Sequence, residues 1–117
     1  EMDDLFSRIS AAAEISESDA RQAVGYILAY MHAESEDDSL RGMVSATPGA
    51  AEALAAANGY DGSGGIMGLG ARLMGMGLDM EQIRDVAESF VAAARKHAGD
   101  ETVDKAIASV PALAQFI

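Results

Sequence analysis

The chain is 117 residues long and carries 19 Asp and Glu against 8 Lys and Arg, a net charge of −11, with neither cysteine nor tryptophan. A chain of this length forms one domain around a single core. The lack of cysteine excludes disulfides, thiolate zinc sites, iron–sulfur clusters and cysteine nucleophiles, and the acidity argues against nucleic acid and anionic membrane surfaces, which are bound through cationic side chains.

Alanine supplies 24 residues, and Val, Ile and Thr form no alternating runs, so an all-α fold of six to eight short, closely packed helices is expected. Asp3 and Asp4 suit the positive end of a first helix, whose apolar set is Leu5, Phe6, Ile9, Ala12 and Ala13. Ser16, followed by Asp19 three residues on, reads as the cap of a second helix over about 17–33. Its inward face is Ala20, Ala23, Val24, Ile27, Leu28 and Met31, leaving Arg21, Gln22 and Gly25 outside. A short helix from Asp38 to about Ala46 turns Leu40, Met43 and Val44 inward. Thr47-Pro48 then reads as cap and first residue of an alanine-rich helix ending near Asn58-Gly59.

The stretch from Asn58 to Gly65 (NGYDGSGG) has loop composition and is expected to act as a hinge. After it, Ile66, Leu69, Leu73 and Met76 recur at helical spacing, although Gly68, Gly70, Gly75 and Gly77 weaken that helix. Asp79 as cap, Gln82 three residues on and Leu78 stapled to Ile83 form a full start signal for a helix over about 80–98. Its inner set is Ile83, Val86, Ala87, Phe90, Val91 and Ala94, and Gly99 stops it. A last helix from Glu101 to Val110, capped by Asp100, should break at Pro111. The longest apolar stretch, Ile66 to Leu78, is interrupted by Arg72 and falls short of a membrane span.

Displacing the sequence by 63 positions lays 15–51 on 78–114 without a gap: Arg21 meets Arg84, Ala29 meets Ala92, Asp37 meets Asp100, and Pro48 meets Pro111. The staple positions Ile15 and Leu78 and the caps Ser16 and Asp79 also coincide. One further residue of shift pairs Leu5 with Leu69, Arg8 with Arg72 and Ile9 with Leu73. The expected architecture is one all-α domain, a multi-helical bundle of two pseudo-repeated three-helix units, at about 5–57 and 66–117, joined by a linker at 58–65.

A long amphipathic helix, a short helix and a proline after a small apolar run, repeated across a Gly-rich linker, resembles the bacterial all-helical domains of unknown function typified by the VcgC/VcgE-like proteins. The residues carrying the resemblance are Ala20-Arg21-Gln22-Ala23-Val24, Ser45 to Ala50, Gly64 to Gly70 and Val110-Pro111-Ala112-Leu113. The resemblance implies a helical fold and supplies no catalytic residues.

Chemistry-bearing motifs are sparse. Asp38-Ser39-Leu40 is similar to the attachment tripeptide of acyl carrier proteins, but the displaced copy has Glu101-Thr102-Val103, an ordinary first helical turn. His32 and His97 have no metal-ligand spacing and suit helix C-termini. The run Glu34, Glu36, Asp37, Asp38 lacks alternating calcium-ligand spacing. Gly62 to Gly70 has no phosphate-loop Lys. Neither a catalytic constellation nor a cofactor is expected.

The remaining feature is the methionines Met67, Met74, Met76 and Met80 on or beside a glycine-softened helix, because methionine surfaces adapt to different shapes. Leu69, Leu73, Met74 and Met76 are accordingly the candidate binding residues, lying between the two units and facing a protein, a small apolar ligand or a second copy in a homodimer. The expected function is a non-enzymatic interaction module. The alternative is a small enzyme or carrier whose site forms between the units from His32, Asp38, Ser39 and His97. Met2 as a native start would favour the cytoplasm, and a processed chain the periplasm.

Overall fold

Ser16 starts the longer helix of the N-terminal half. Its hydroxyl accepts the Asp19 amide at 2.9 Å, and the helix runs Glu17–Glu34. The longest helix of the C-terminal half, Met80–Ala98, opens with a complete capping box: the Asp79 carboxylate accepts the Gln82 amide, and the Gln82 side-chain oxygen accepts the Asp79 amide. Both boundaries are where local capping chemistry puts them.

The computed structural model describes residues 5–57 and 59–115. Among them are eight helices and no strand: α1 (Leu5–Ala13), α2 (Glu17–Glu34), α3 (Asp38–Ala46), α4 (Ala50–Ala55), α5 (Gly65–Gly75), α6 (Met80–Ala98), α7 (Asp100–Ala108) and α8 (Pro111–Ala114). The fold is all-α. Asp3 and Asp4, expected at the start of α1, lie outside the described residues, and Ala12 is exposed rather than inward.

Helix α2 is the centre of the packing. It contacts α1, α4, α5 and α6, and its residues from Ala23 to Met31 are all buried. The expected outward Gly25 is therefore an error of the periodic reading. A methyl group there would stand 2.2 Å from the carbonyl oxygen of Ala53, so Gly25 is the place where α4 lies directly on the α2 backbone. Ile9, Val24, Leu28, Tyr30, Leu40, Met43, Leu73, Val86, Val103 and Val110 are the largest fully enclosed side chains among the described residues, and they come from most of the helices.

Three further boundaries differ from expectation. Thr47 ends α3 instead of starting α4: both its amide and its hydroxyl donate to the carbonyl of Met43, the hydroxyl at 2.7 Å. Gly49, at φ 91°, then makes the turn, and α4 begins at Ala50 without a side-chain cap. Asp100 is the first residue of α7, not its cap. Gly99, at φ 90° and ψ 153°, holds the cap position, and the Asp100 carboxylate meets Arg95 at 3.3 Å. Helix α7 ends at Ala108, two residues short of the expected Val110, and Pro111 instead begins α8, where its missing N–H costs nothing.

Some packings are reciprocal between the halves. Helix α1 lies on α6 as α5 lies on α2, while α3 meets α7 and α2 meets α6. Others are not: α4 lies along α2 and α1 along α2, with no comparable α8–α6 or α5–α6 packing. The halves are also tied by side chains, Ser35 to Ser109 at 2.7 Å and the Gln82 amide to the Ala13 carbonyl at 3.2 Å.

Candidate functional site

The four candidate residues of α5 divide by depth. Leu69 and Leu73 are 3% and 2% exposed and belong to the core, seated against α2. Met76 is half-buried and packs against that core. Met74 is 50% exposed and Met67, seven residues earlier, is 81% exposed. Seven residues is close to two helical turns, so Met67, Ala71 and Met74 share an outward face. Ala71 is exposed as well, and Arg72 is the only charged residue of the helix. The binding stripe is therefore not one surface: the leucines are structural, and the accessible apolar face is built by Met67, Ala71 and Met74. Met80, 56% exposed, follows beyond the turn at Gly77.

The inner side of α5 is held by an aromatic clamp. All three tyrosines of the chain are buried. Tyr26 and Tyr60 meet edge to face at 5.5 Å, and the Arg72 guanidinium lies 4.8 Å from the Tyr60 ring centre and 5.6 Å from that of Tyr26. Gln22 donates to the Tyr26 hydroxyl at 2.7 Å. The Tyr60 hydroxyl is buried without a hydrogen-bond partner among the described residues. Burial pushes the Tyr60 phenol above its ordinary range, with Arg72 opposing that shift. Tyr30 is raised by burial and then by the charge of Glu34.

The segment before α5 does not have the freedom expected of a hinge. Gly62 is buried at φ 83°, and a methyl group on it would stand 2.5 Å from Ala33 Cβ and 2.8 Å from the Ala29 carbonyl oxygen. The Asp61 carboxylate accepts the Ser63 amide at 3.0 Å. With Tyr60 inserted beside Tyr26, this loop is pinned to α2, and its glycines serve close approach.

Of the residues of the enzyme or carrier alternative, Ser39 and Asp38 are held within the first turn of α3. The Ser39 amide and hydroxyl both donate to the Asp37 carboxylate, at 2.9 and 2.6 Å, as part of the α3 cap, and Asp38 pairs with Arg41 at 2.6 Å. The Ser39 bonds hold the Asp37 carboxyl below the usual carboxylate range. His32 is half-buried, with Nε2 enclosed and unpartnered among the described residues; burial, then the charge of Arg41, lowers its pKa. His97 is exposed. No group of three or more His, Cys, Asp and Glu suited to a metal ion occurs among the described residues, and no described helix is long and apolar enough to cross a membrane.

A cleft of about 400 Å³ has no counterpart in the sequence reading. Leu5 and Arg8 of α1, Thr47 and Pro48 of the α3–α4 turn, and Ala93, Lys96 and His97 of α6 line it. Arg8 and Lys96 are far apart in sequence, and only the packing of α1 on α6 brings them together. The one signal in the sequence is the basic pair Lys96-His97 in an acidic chain, which by itself reads as a helix end.

Compared with known proteins, the chain matches no family model, no curated protein and no solved structure.

Proposed function

We propose that the chain is a non-enzymatic helical interaction module that works through the outward face of α5. The exposure of Met67 and Met74 on one face of a nearly uncharged helix is the observation that carries this reading. In a chain of net charge −11, such a face is where another apolar surface meets the least repulsion. Methionine suits it, because an unbranched thioether repacks against different shapes. A second copy of the chain is the simplest partner: two α5 faces would bury the methionines against each other and leave the acidic helices outside.

Sedimentation velocity across micromolar to millimolar concentration tests this. The wild type should self-associate, more strongly as salt screens the like charges. Met67→Asp with Met74→Asp should be monomeric throughout with an unchanged helical spectrum. A wild type that stays monomeric at every concentration and salt level would refute self-association through this face.

A further inference from the structure

We infer that Met67 and Met74 are sites of reversible sulfoxidation by hydroperoxides, and that this modification turns the outward face of α5 from apolar to polar. Met67, Met74 and Met80 are the large apolar side chains exposed among the described residues, at 81%, 50% and 56%. No described leucine, isoleucine, valine, phenylalanine or tyrosine is exposed. The large apolar side chains that this fold leaves in water are thus all of a type that mild oxidation makes polar. The other described methionines are withheld: Met31 and Met43 are 3% and 1% exposed, and Met76 is half-buried.

The surroundings of the two thioethers favour reaction. On a helix, the side chains three and four residues away are the ones that cover a neighbour. Between Met67 and Met74 these places hold Gly70 and Ala71, so no long side chain covers either thioether from there. A methyl group on Gly70 would meet nothing within 4 Å, so close packing does not require the glycine. The chain also has no cysteine to compete for the oxidant. In the reaction a sulfur lone pair attacks the distal oxygen of the hydroperoxide, the O–O bond breaks as the S–O bond forms, and the proton of that oxygen passes to the departing one. Sulfur is oxidised by two electrons, and the hydroperoxide is reduced to water or an alcohol. Return takes an external dithiol, which removes the oxygen as water and becomes a disulfide. The consequence for association rests on the interaction reading above: a sulfoxide oxygen binds water that docking would have to strip away.

The test is a limited dose of hydrogen peroxide on the full chain, with the sulfoxide at each methionine quantified by peptide mass spectrometry. On dilute protein, Met67, Met74 and Met80 should gain one oxygen about tenfold or more faster than Met31 and Met43, at an unchanged helical spectrum. The oxidised chain should elute earlier from a hydrophobic-interaction column and sediment as monomer where the reduced chain associates. Methionine sulfoxide reductases for both epimers, with dithiothreitol, should restore both properties. Met67→Leu with Met74→Leu should keep its retention and association through the same dose. Met2, outside the described residues, and Met80 are common to both proteins and cancel in that comparison. Equal oxidation of all the methionines, helix lost in step with oxidation, or a doubly substituted chain that responds to peroxide as the wild type does would overturn the inference. A reduced chain that is monomeric at every concentration removes the self-association reading alone, and the column retention of the two proteins then decides whether the face is switched.

Discussion

The carbonyl oxygen of Ala53 occupies the space that a side chain at Gly25 would need, 2.2 Å from where a methyl carbon would lie. Gly25 is in the middle of α2, where glycine weakens a helix by about 1 kcal/mol relative to alanine. That local cost is accepted because α4 then lies on α2 at backbone contact, with Ala20, Ala23, Ala50 and Ala53 all enclosed. Gly25→Ala should therefore destabilise the fold by about 1–3 kcal/mol, the overpacking term exceeding the helix-propensity gain. Gly42→Ala is the opposite case. Gly42 is exposed in α3, and a methyl group there would meet only Thr102 Cγ2, at an ordinary 3.8 Å. It should stabilise by about 0.5–1 kcal/mol. Urea denaturation of the two variants tests the difference in sign.

The Arg72 clamp gives a second prediction. Arg72 is exposed, so each of its ring contacts is worth about 0.5–1 kcal/mol, and Arg72→Gln should cost about 1 kcal/mol in all. The effect should be local, because the guanidinium joins α5 to the Tyr60 loop and α2. Hydrogen exchange should accelerate over residues 65–75 with little change over 80–98. Uniform acceleration across both segments would mean that Arg72 acts on the whole fold.

What the sequence disclosed depended on how local each cause is. Ser16 and Asp79 were legible as caps because the group each satisfies lies three residues away. Thr47 was not: Thr-Pro is a start signal, and the competing bond back to Met43 appears only once α3 has formed. Gly25 gave no outward sign of its role, since its reason is α4. The α5 stripe was legible as helical but not in depth. Leu73 and Met74 are neighbours in sequence and about 100° apart around the helix, so only the position of α2 decides which is core. The cleft was hidden for the same reason, because its cations come from opposite ends of the chain.

Two pH windows follow from the buried titratable groups. The His32 pKa is lowered by burial and by Arg41, so the unfolded chain binds the proton more readily than the folded one. Stability should be on its plateau above about pH 6.5 and fall as pH drops below it, before the carboxylates titrate. His32→Gln should flatten that slope. Tyr30 and Tyr60 shift the other way, raised by burial. Their contribution is complete below about pH 10 and is lost as the pH climbs through the raised values, so alkaline unfolding should set in there. Denaturation midpoints from pH 4 to 11 check both windows.

Adjacent residues of α5 should respond in opposite ways to the same truncation. Leu73 is 2% exposed in the α5–α2 contact, and Leu73→Ala removes its apolar burial and leaves a space the surrounding helices cannot fully close, at a cost of about 2–5 kcal/mol. Met74 is 50% exposed, and Met74→Ala, measured on dilute monomer, should fall within about 0.5 kcal/mol of wild type, partly offset by alanine's helix preference. Raising the protein concentration separates core from interface further. If the outward face of α5 is buried in a dimer, the melting temperature of the wild type rises with concentration, and Met74→Ala loses that rise while Leu73→Ala retains it. A Met74→Ala variant as unstable as Leu73→Ala on dilute monomer would place Met74 in the core and remove the interaction face from α5.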